Sequence, residues 1–165
     1  MSELKRTQLY DVHVATGATM VDFGGWEMPI KYPTDIVAEH LYTRHFCSLF
    51  DVSHMGRVLV DGPEAVPFLQ HVLSSNVLAL DVNQAQYAII PNESGGAVDD
   101  AYLYRFEADR YLLVVNAANT DKDLAHLQEQ IKAFDARMTV ITADVADNPL
   151  QGPKAPATPL GLSIC

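Results

Sequence analysis

The chain has 165 residues, 48% hydrophobic and 19% charged, a balance suited to a globular fold with a real core. Its formal net charge of −10, from 21 acids against 11 bases, argues against nucleic acid as the main ligand, since phosphate affinity needs clustered Lys and Arg. No apolar run approaches the roughly 20 residues of a membrane helix, Met1–Arg6 lacks the apolar centre of a signal peptide, and Cys47 and Cys165 are too few for a disulfide framework, so the expectation is a cytoplasmic protein without a membrane partner.

Taken in order, Thr7 can cap a first helix that carries Leu9, Val12 and His13 on one side and stops at Gly17. Met20–Phe23 reads as a short strand, Gly24-Gly25 as a bend, and Trp26–Tyr32 as an extended segment that Pro29 confines to an edge or an irregular strand. Pro33 and Thr34 introduce a helix over about 35–47, with Val37, Leu41 and His45 expected to face inward. Leu49–Gly56 leads into a strand at Arg57–Val60 that ends at Asp61-Gly62. Pro63 opens a helix to about Leu73 with Phe68, Leu69 and Val72 as its apolar stripe. Gln86–Ile90 is a strand, and Pro91–Gly96 a turn. Two further strands, 98–106 and 111–117, are separated by polar Glu107–Arg110 and form a predicted hairpin. Thr120 with Asp123 resembles a capping box for a helix carrying Leu124, Leu127, Ile131 and Phe134, and Met138–Thr142 is a last strand. From about Ala143 prolines crowd the chain and periodicity is lost. Helices alternating with hairpins predict an α+β fold with mainly antiparallel sheets.

The hairpin holds the best chemical lead. Alternation puts Asp100, Tyr102 and Tyr104 on one face and Asp99, Ala101 and Leu103 on the other. If Arg105 or Phe106 pairs with Tyr111, Asp100 lies opposite Asn116 or its neighbour. A carboxylate, an amide and two phenols on one face suit a binding surface better than a core. The plainer alternative is a strand end standing in water. Asp51, Ser53 and His54 invite a triad reading, but residues so close in sequence rarely converge on one centre, and no nucleophile elbow supports it. The six histidines show no metal-ligand spacing, and no metal is expected. No phosphate loop, dinucleotide fingerprint or CxxC occurs.

Several long stretches together resemble the N-terminal part of the glycine cleavage system T-protein, the aminomethyltransferase family. They are Leu9–His13 with Met20–Pro29, then Leu49–Gly56, Asn92–Asp100 and Val114–Asn119, with Gln151–Ala155 as a further segment. The resemblance implies the first half of a tetrahydrofolate-binding fold, in residues 1–144, with 48–137 a compact α+β subdomain and 145–165 a Pro-rich truncated tail. It implies transfer of a one-carbon unit from the aminomethyl-lipoyl arm of the H-protein to tetrahydrofolate, with release of ammonia. The lipoylated H-protein is then the partner and tetrahydrofolate the co-substrate. The family's catalytic acid falls on Asp100, and folate contacts fall on Met55, Tyr87, Tyr102, Tyr104 and Asn116. A carboxylate beside the folate N5 can orient or accept its proton, and phenols and an amide can bind the flat, polar pterin. Relatives are longer, so the expectation is a truncated member, inactive or impaired alone. The alternative is a non-catalytic folate-binding or interaction module that homodimerises to complete the fold.

Overall fold

The computed structural model describes residues 3–157, and the expected tail beyond Ala157 lies outside them. Two compact units divide the described residues: 55–145 form one, and 3–54 with 146–157 the other.

The first unit holds α1 (Tyr10–Ala15), the hairpin β1 (Thr19–Phe23) and β2 (Trp26–Lys31), α2 (Ile36–His45), and the short antiparallel pair β3 (Ser48–Leu49) and β9 (Leu150–Gln151). Gly24 and Gly25 turn the β1–β2 hairpin at φ 59° and 87°, a region where side chains are strained. The register slips between Thr19 and Met20, opposite the stretch containing Pro29, which has no N–H to donate to the ladder. The Pro-rich segment is less irregular than its composition predicts, since β9 pairs with β3.

A polar tie takes the place of an apolar core here. His13 is buried, with Nδ1 at 2.7 Å from the Tyr32 hydroxyl and Nε2 at 2.9 Å from Asp51 Oδ2. Thr7 Oγ1 donates to the same Asp51 oxygen at 2.6 Å, and the Ser53 N–H donates to Oδ1 at 2.9 Å. Val12, expected beside His13, is exposed. The inward face expected of Val37, Leu41 and His45 is also overturned, because no residue of α2 is buried. Its apolar stripe is present, but a stripe becomes a core face only where another layer covers it.

The second unit is a five-stranded antiparallel sheet in the order β5 (Ala85–Pro91), β6 (Ala97–Glu107), β7 (Arg110–Val115), β4 (Gly56–Asp61), β8 (Arg137–Val140). α3 (Ala65–Val72) and α4 (Thr120–Gln130) pack on one face. Val58, Val60, Ala88, Ile90, Ala101, Leu103, Leu113 and Val115 alternate onto that face and meet Phe68, Leu69, Val72 and Leu127 in a dry core. Each of the Val, Leu, Ile and Phe side chains contributes about 1.5–3 kcal/mol by leaving water. The Asn92 side chain accepts from the Ser94 and Gly96 N–H groups and so builds the β5–β6 turn. The expected capping box at Thr120 is not formed. Thr120 is itself helical, and its hydroxyl donates to Asn116 O at 2.9 Å.

Gly56 is required by a close approach. A Cβ there would lie 2.6 Å from Val115 Cγ2 and 2.8 Å from Thr120 Oγ1. Both neighbours are β-branched and stiff at χ1, so neither can give way cheaply. Gly56→Ala is expected to cost about 1–3 kcal/mol in chemical denaturation, while Gly95→Ala, where a Cβ meets nothing within 4 Å but φ is +82°, loses stability through backbone strain alone.

Burial raises the Asp51 carboxyl, but hydrogen bonds from His13, Ser53 and Thr7 outweigh it and leave its pKa below the ordinary value. A depressed acid contributes stability that is present above the unfolded carboxylate range, about pH 4, and lost as pH falls through the folded value. Thermal melts followed by circular dichroism should therefore show an acid-side loss that is shallower in Asp51→Asn. His13→Ala should cost about 1–3 kcal/mol at neutral pH by stranding the buried carboxylate.

Candidate functional site

The face of the five-stranded sheet opposite α3 and α4 is open at β5 and β6, where Tyr87, Ile89, Tyr102 and Tyr104 are exposed, and every second residue of β5, β6 and β7 projects onto it. Arg105 pairs with Tyr111 and Ala101 with Val115, so continuing the ladder sets Asp100 against Asn116, at the end of β7. On the other side, Ile89 pairs with Asp100 and Tyr87 with Tyr102. Met55 immediately precedes β4, whose Gly56 pairs with Val115, and so stands at the Asn116 end of the sheet. Asp100, Met55, Tyr87, Tyr102, Tyr104 and Asn116 thus belong to one unit: β5 and β6 carry the acid and the three phenols, Asn116 follows β7 directly, and Met55 directly precedes β4.

The phenols are open to solvent, with Tyr87 59%, Tyr102 40% and Tyr104 38% exposed. Tyr102 and Tyr104 meet edge to face with ring centroids 5.1 Å apart. Asn116 Nδ2 donates to Asp100 Oδ1 at 2.7 Å and to Asp99 Oδ1 at 3.1 Å. Two carboxylate acceptors on one nitrogen settle which end of the amide faces them. The Tyr87 phenol is hydrogen-bonded to Asp100, which is the main cause of its raised pKa, with burial and the charges of Asp100 and Asp99 adding to it. The group is an acceptor carboxylate held at a set angle in a field of aromatic hydroxyls. Such a surface can take a flat, polar heteroaromatic ring and handle a proton at its edge.

The triad reading of Asp51, Ser53 and His54 does not assemble. Asp51 is taken by His13, and Ser53 Oγ accepts from the Asp147 N–H at 2.9 Å. Ser53 ties its own loop to Asp147.

Three features escape a reading of motifs alone. Arg57 is buried on the open-face side of β4, paired with Val114, and its Nη2 donates to Thr142 O at 2.7 Å. Strand alternation signals it, since Arg57 and Leu59 flank the core residue Val58. Ile89 is an exposed apolar neighbour of Asp100. Asp123 is an acid with 0% exposure on the core side of α4. Its signal was also present, because Asp123 stands four residues before Leu127 and so shares that residue's helix face.

Comparison with known proteins gives the family. The family model described as the GCVT N-terminal domain matches residues 9–159. An aminomethyltransferase of Thermus thermophilus is 50% identical over 159 residues, which cover 96% of this chain and 45% of that protein. One from Desulfitobacterium hafniense is 46% identical over 155 residues, covering 94% of this chain and 42% of the relative. The crystal structure of glycine cleavage system aminomethyltransferase T from Bartonella henselae superposes with a TM-score of 0.85 at 38% identity, over 93% of this chain and 42% of that one. The chain thus spans less than half the length of the relatives it matches. With the α+β sheet, the matched motifs and these identities in agreement, the chain belongs to the glycine cleavage T-protein (aminomethyltransferase) family, whose N-terminal part it matches.

Proposed function

We infer that this chain supplies the folate-facing carboxylate wall of a tetrahydrofolate-dependent aminomethyltransferase. The observation that carries the reading is the placement of Asp100: on the exposed face of β6, 2.7 Å from the Asn116 amide, beside Tyr87 and on the same strand face as Tyr102 and Tyr104. Residues of this kind fit a reduced pterin. The phenols offer stacking area with hydroxyl handles, Asn116 fixes the carboxylate, and Met55 supplies adaptable apolar contact. Tetrahydrofolate, when bound, supplies the amine that takes the one-carbon unit. Asp100 orients or accepts the proton which that amine loses as its bond to the carbon forms; the carbon gains two bonds to folate nitrogens as its bonds to nitrogen and to sulfur break, so ammonia and the lipoyl thiol leave. The one-carbon donor is the aminomethyl-lipoyl arm of the H-protein, by membership of the family.

Calorimetric titration of the purified chain with tetrahydrofolate tests the reading. Saturable binding that weakens about tenfold or more in Asp100→Asn is expected, the loss of one charge-assisted hydrogen bond. Where transfer from an aminomethyl-loaded H-protein is measurable, Asp100→Asn should lower it by about 10²-fold or more. A chain that is folded by circular dichroism and gives no heat overturns it.

A second reading has its own observation. Ile36, Val37, Leu41, Tyr42 and Phe46, with Val12, Phe23 and Ile30, expose apolar side chains in the smaller unit. Such area is costly in water, and a second copy that covers it makes a homodimeric folate-binding or interaction module. Sedimentation equilibrium should then give twice the chain's mass, falling to one mass in Leu41→Glu. A monomer at micromolar concentration removes this reading.

A further inference from the structure

Beneath Asp100, on the core side of the sheet, Asp99 faces Asp123 of α4. Asp123 is fully buried, and neither of its oxygens receives a hydrogen from any N–H or O–H donor; Asp99 Oδ2 is in the same position. Lys122 Nζ, 3.8 Å from Asp123 Oδ1, also donates to the carbonyl of Val98, the residue before Asp99, which brings the two acids alongside each other, and each acts on the acidity of the other through a hydrogen bond. Two ionised carboxylates cannot sit face to face in a dry site, because each lacks solvent and each repels the other. One proton between them removes both costs and satisfies the oxygens that otherwise have no donor. The remaining oxygen of Asp99 is then free to accept from Asn116, and Asn116 carries the connection through the sheet to Asp100.

We propose that Asp99 and Asp123 share a single proton, and that this buried pair positions Asp100 through the side-chain amide of Asn116. The proposal rests on the reading of Asp100 as the folate-facing carboxylate. Asp123 touches no reacting atom in it and is a positioning residue.

The surrounding charges agree on where the proton resides. Burial is the largest influence on Asp123, the hydrogen bond and charge of Asp99 add to it, and the charge of Asp100 adds a little more. Lys122 opposes them from 3.8 Å, but its ammonium also donates to Val98 O at 2.6 Å. The balance pushes Asp123 up to about 7. Burial also raises Asp99, but hydrogen bonds with Asp123, the Asp100 N–H, Asn119 and Asn116 outweigh it and leave Asp99 low. The proton therefore sits on Asp123 and points at Asp99. A raised acid contributes stability that is full below the unfolded carboxylate range and lost as pH rises through the folded value. Above neutral pH the pair becomes two charges. Asp99 is then driven from Asp123, Asn116 loses a fixed acceptor, and Asp100 loses its orientation.

The test uses the whole chain with carboxyl-¹³C aspartate and ¹⁵N asparagine side chains. One aspartate carboxyl should titrate with a midpoint of about 7, and the Asn116 side-chain amide resonances should shift with the same midpoint. In Asp123→Asn, which donates a neutral hydrogen bond to Asp99, that carboxyl signal should vanish and the Asn116 resonances should stay flat with pH. Tetrahydrofolate affinity of the native chain should fall about tenfold as pH rises through that midpoint, one lost hydrogen bond to a charged group, and Asp123→Asn should remove the pH dependence. Absence of any aspartate titrating near neutrality in the native chain overturns the shared proton. A titrating aspartate with unmoved Asn116 resonances overturns the positioning role. If no variant binds tetrahydrofolate, the folate reading fails, while the two ligand-free resonance titrations still decide the acid pair.

Discussion

Tyr111 stands opposite Arg105, and from that pairing the rest of the candidate site takes its geometry. Strand side chains have a period of two, so a slip of one residue would turn every member of β6 to the other face. Asp100, Tyr102 and Tyr104 would then press against Phe68 and Leu127, and Ala101 and Leu103 would stand in water. The cost of burying those polar groups, and of exposing that apolar area, makes one register far better than its neighbours. The narrow turn between β6 and β7 holds the register, and so does the Asn92-built turn at the other end of β6.

Adjacent acids in one strand are the unusual consequence of this register. Asp100 projects to the open face, and Asp99 projects toward α4. Each is satisfied differently: Asp100 by an amide and a phenol beside solvent, Asp99 by an amide and a buried carboxyl group. Asn116 is the hinge of the arrangement, since its single nitrogen serves both. Its position depends in turn on the hydroxyl of Thr120 holding its carbonyl, and on Gly56 leaving room for Thr120. A glycine with no chemistry of its own thus bears directly on where a carboxylate points.

The two units rely on different physics. Residues 55–145 bury an apolar core between a sheet and two helices, with the Asp123 carboxyl fully buried beside it. The smaller unit buries little apolar surface and is organised by the Thr7–His13–Tyr32–Asp51 contacts. Hydrogen bonds to a buried charge are stronger than neutral ones but depend on protonation, so this unit is the more sensitive to acid.

Much of this was legible from residues alone. Period-two alternation located β4 through β7, the 3.6-residue stripe located α3 and α4, and alternation within the hairpin already separated Asp100 from Asp99. The site residues gathered on one sheet because a hairpin is a local structure, whose register follows from its own turn. What lay beyond sequence was every contact set by elements distant in the chain. The meeting of His13 with Tyr32 and Asp51, the exposure of α2 despite its stripe, the pairing of β3 with β9, and the approach of Asp123 to Asp99 all belong to this class. Periodicity states which side chains share a face. Only the tertiary structure decides what, if anything, covers that face, because the layer that does so comes from another part of the chain.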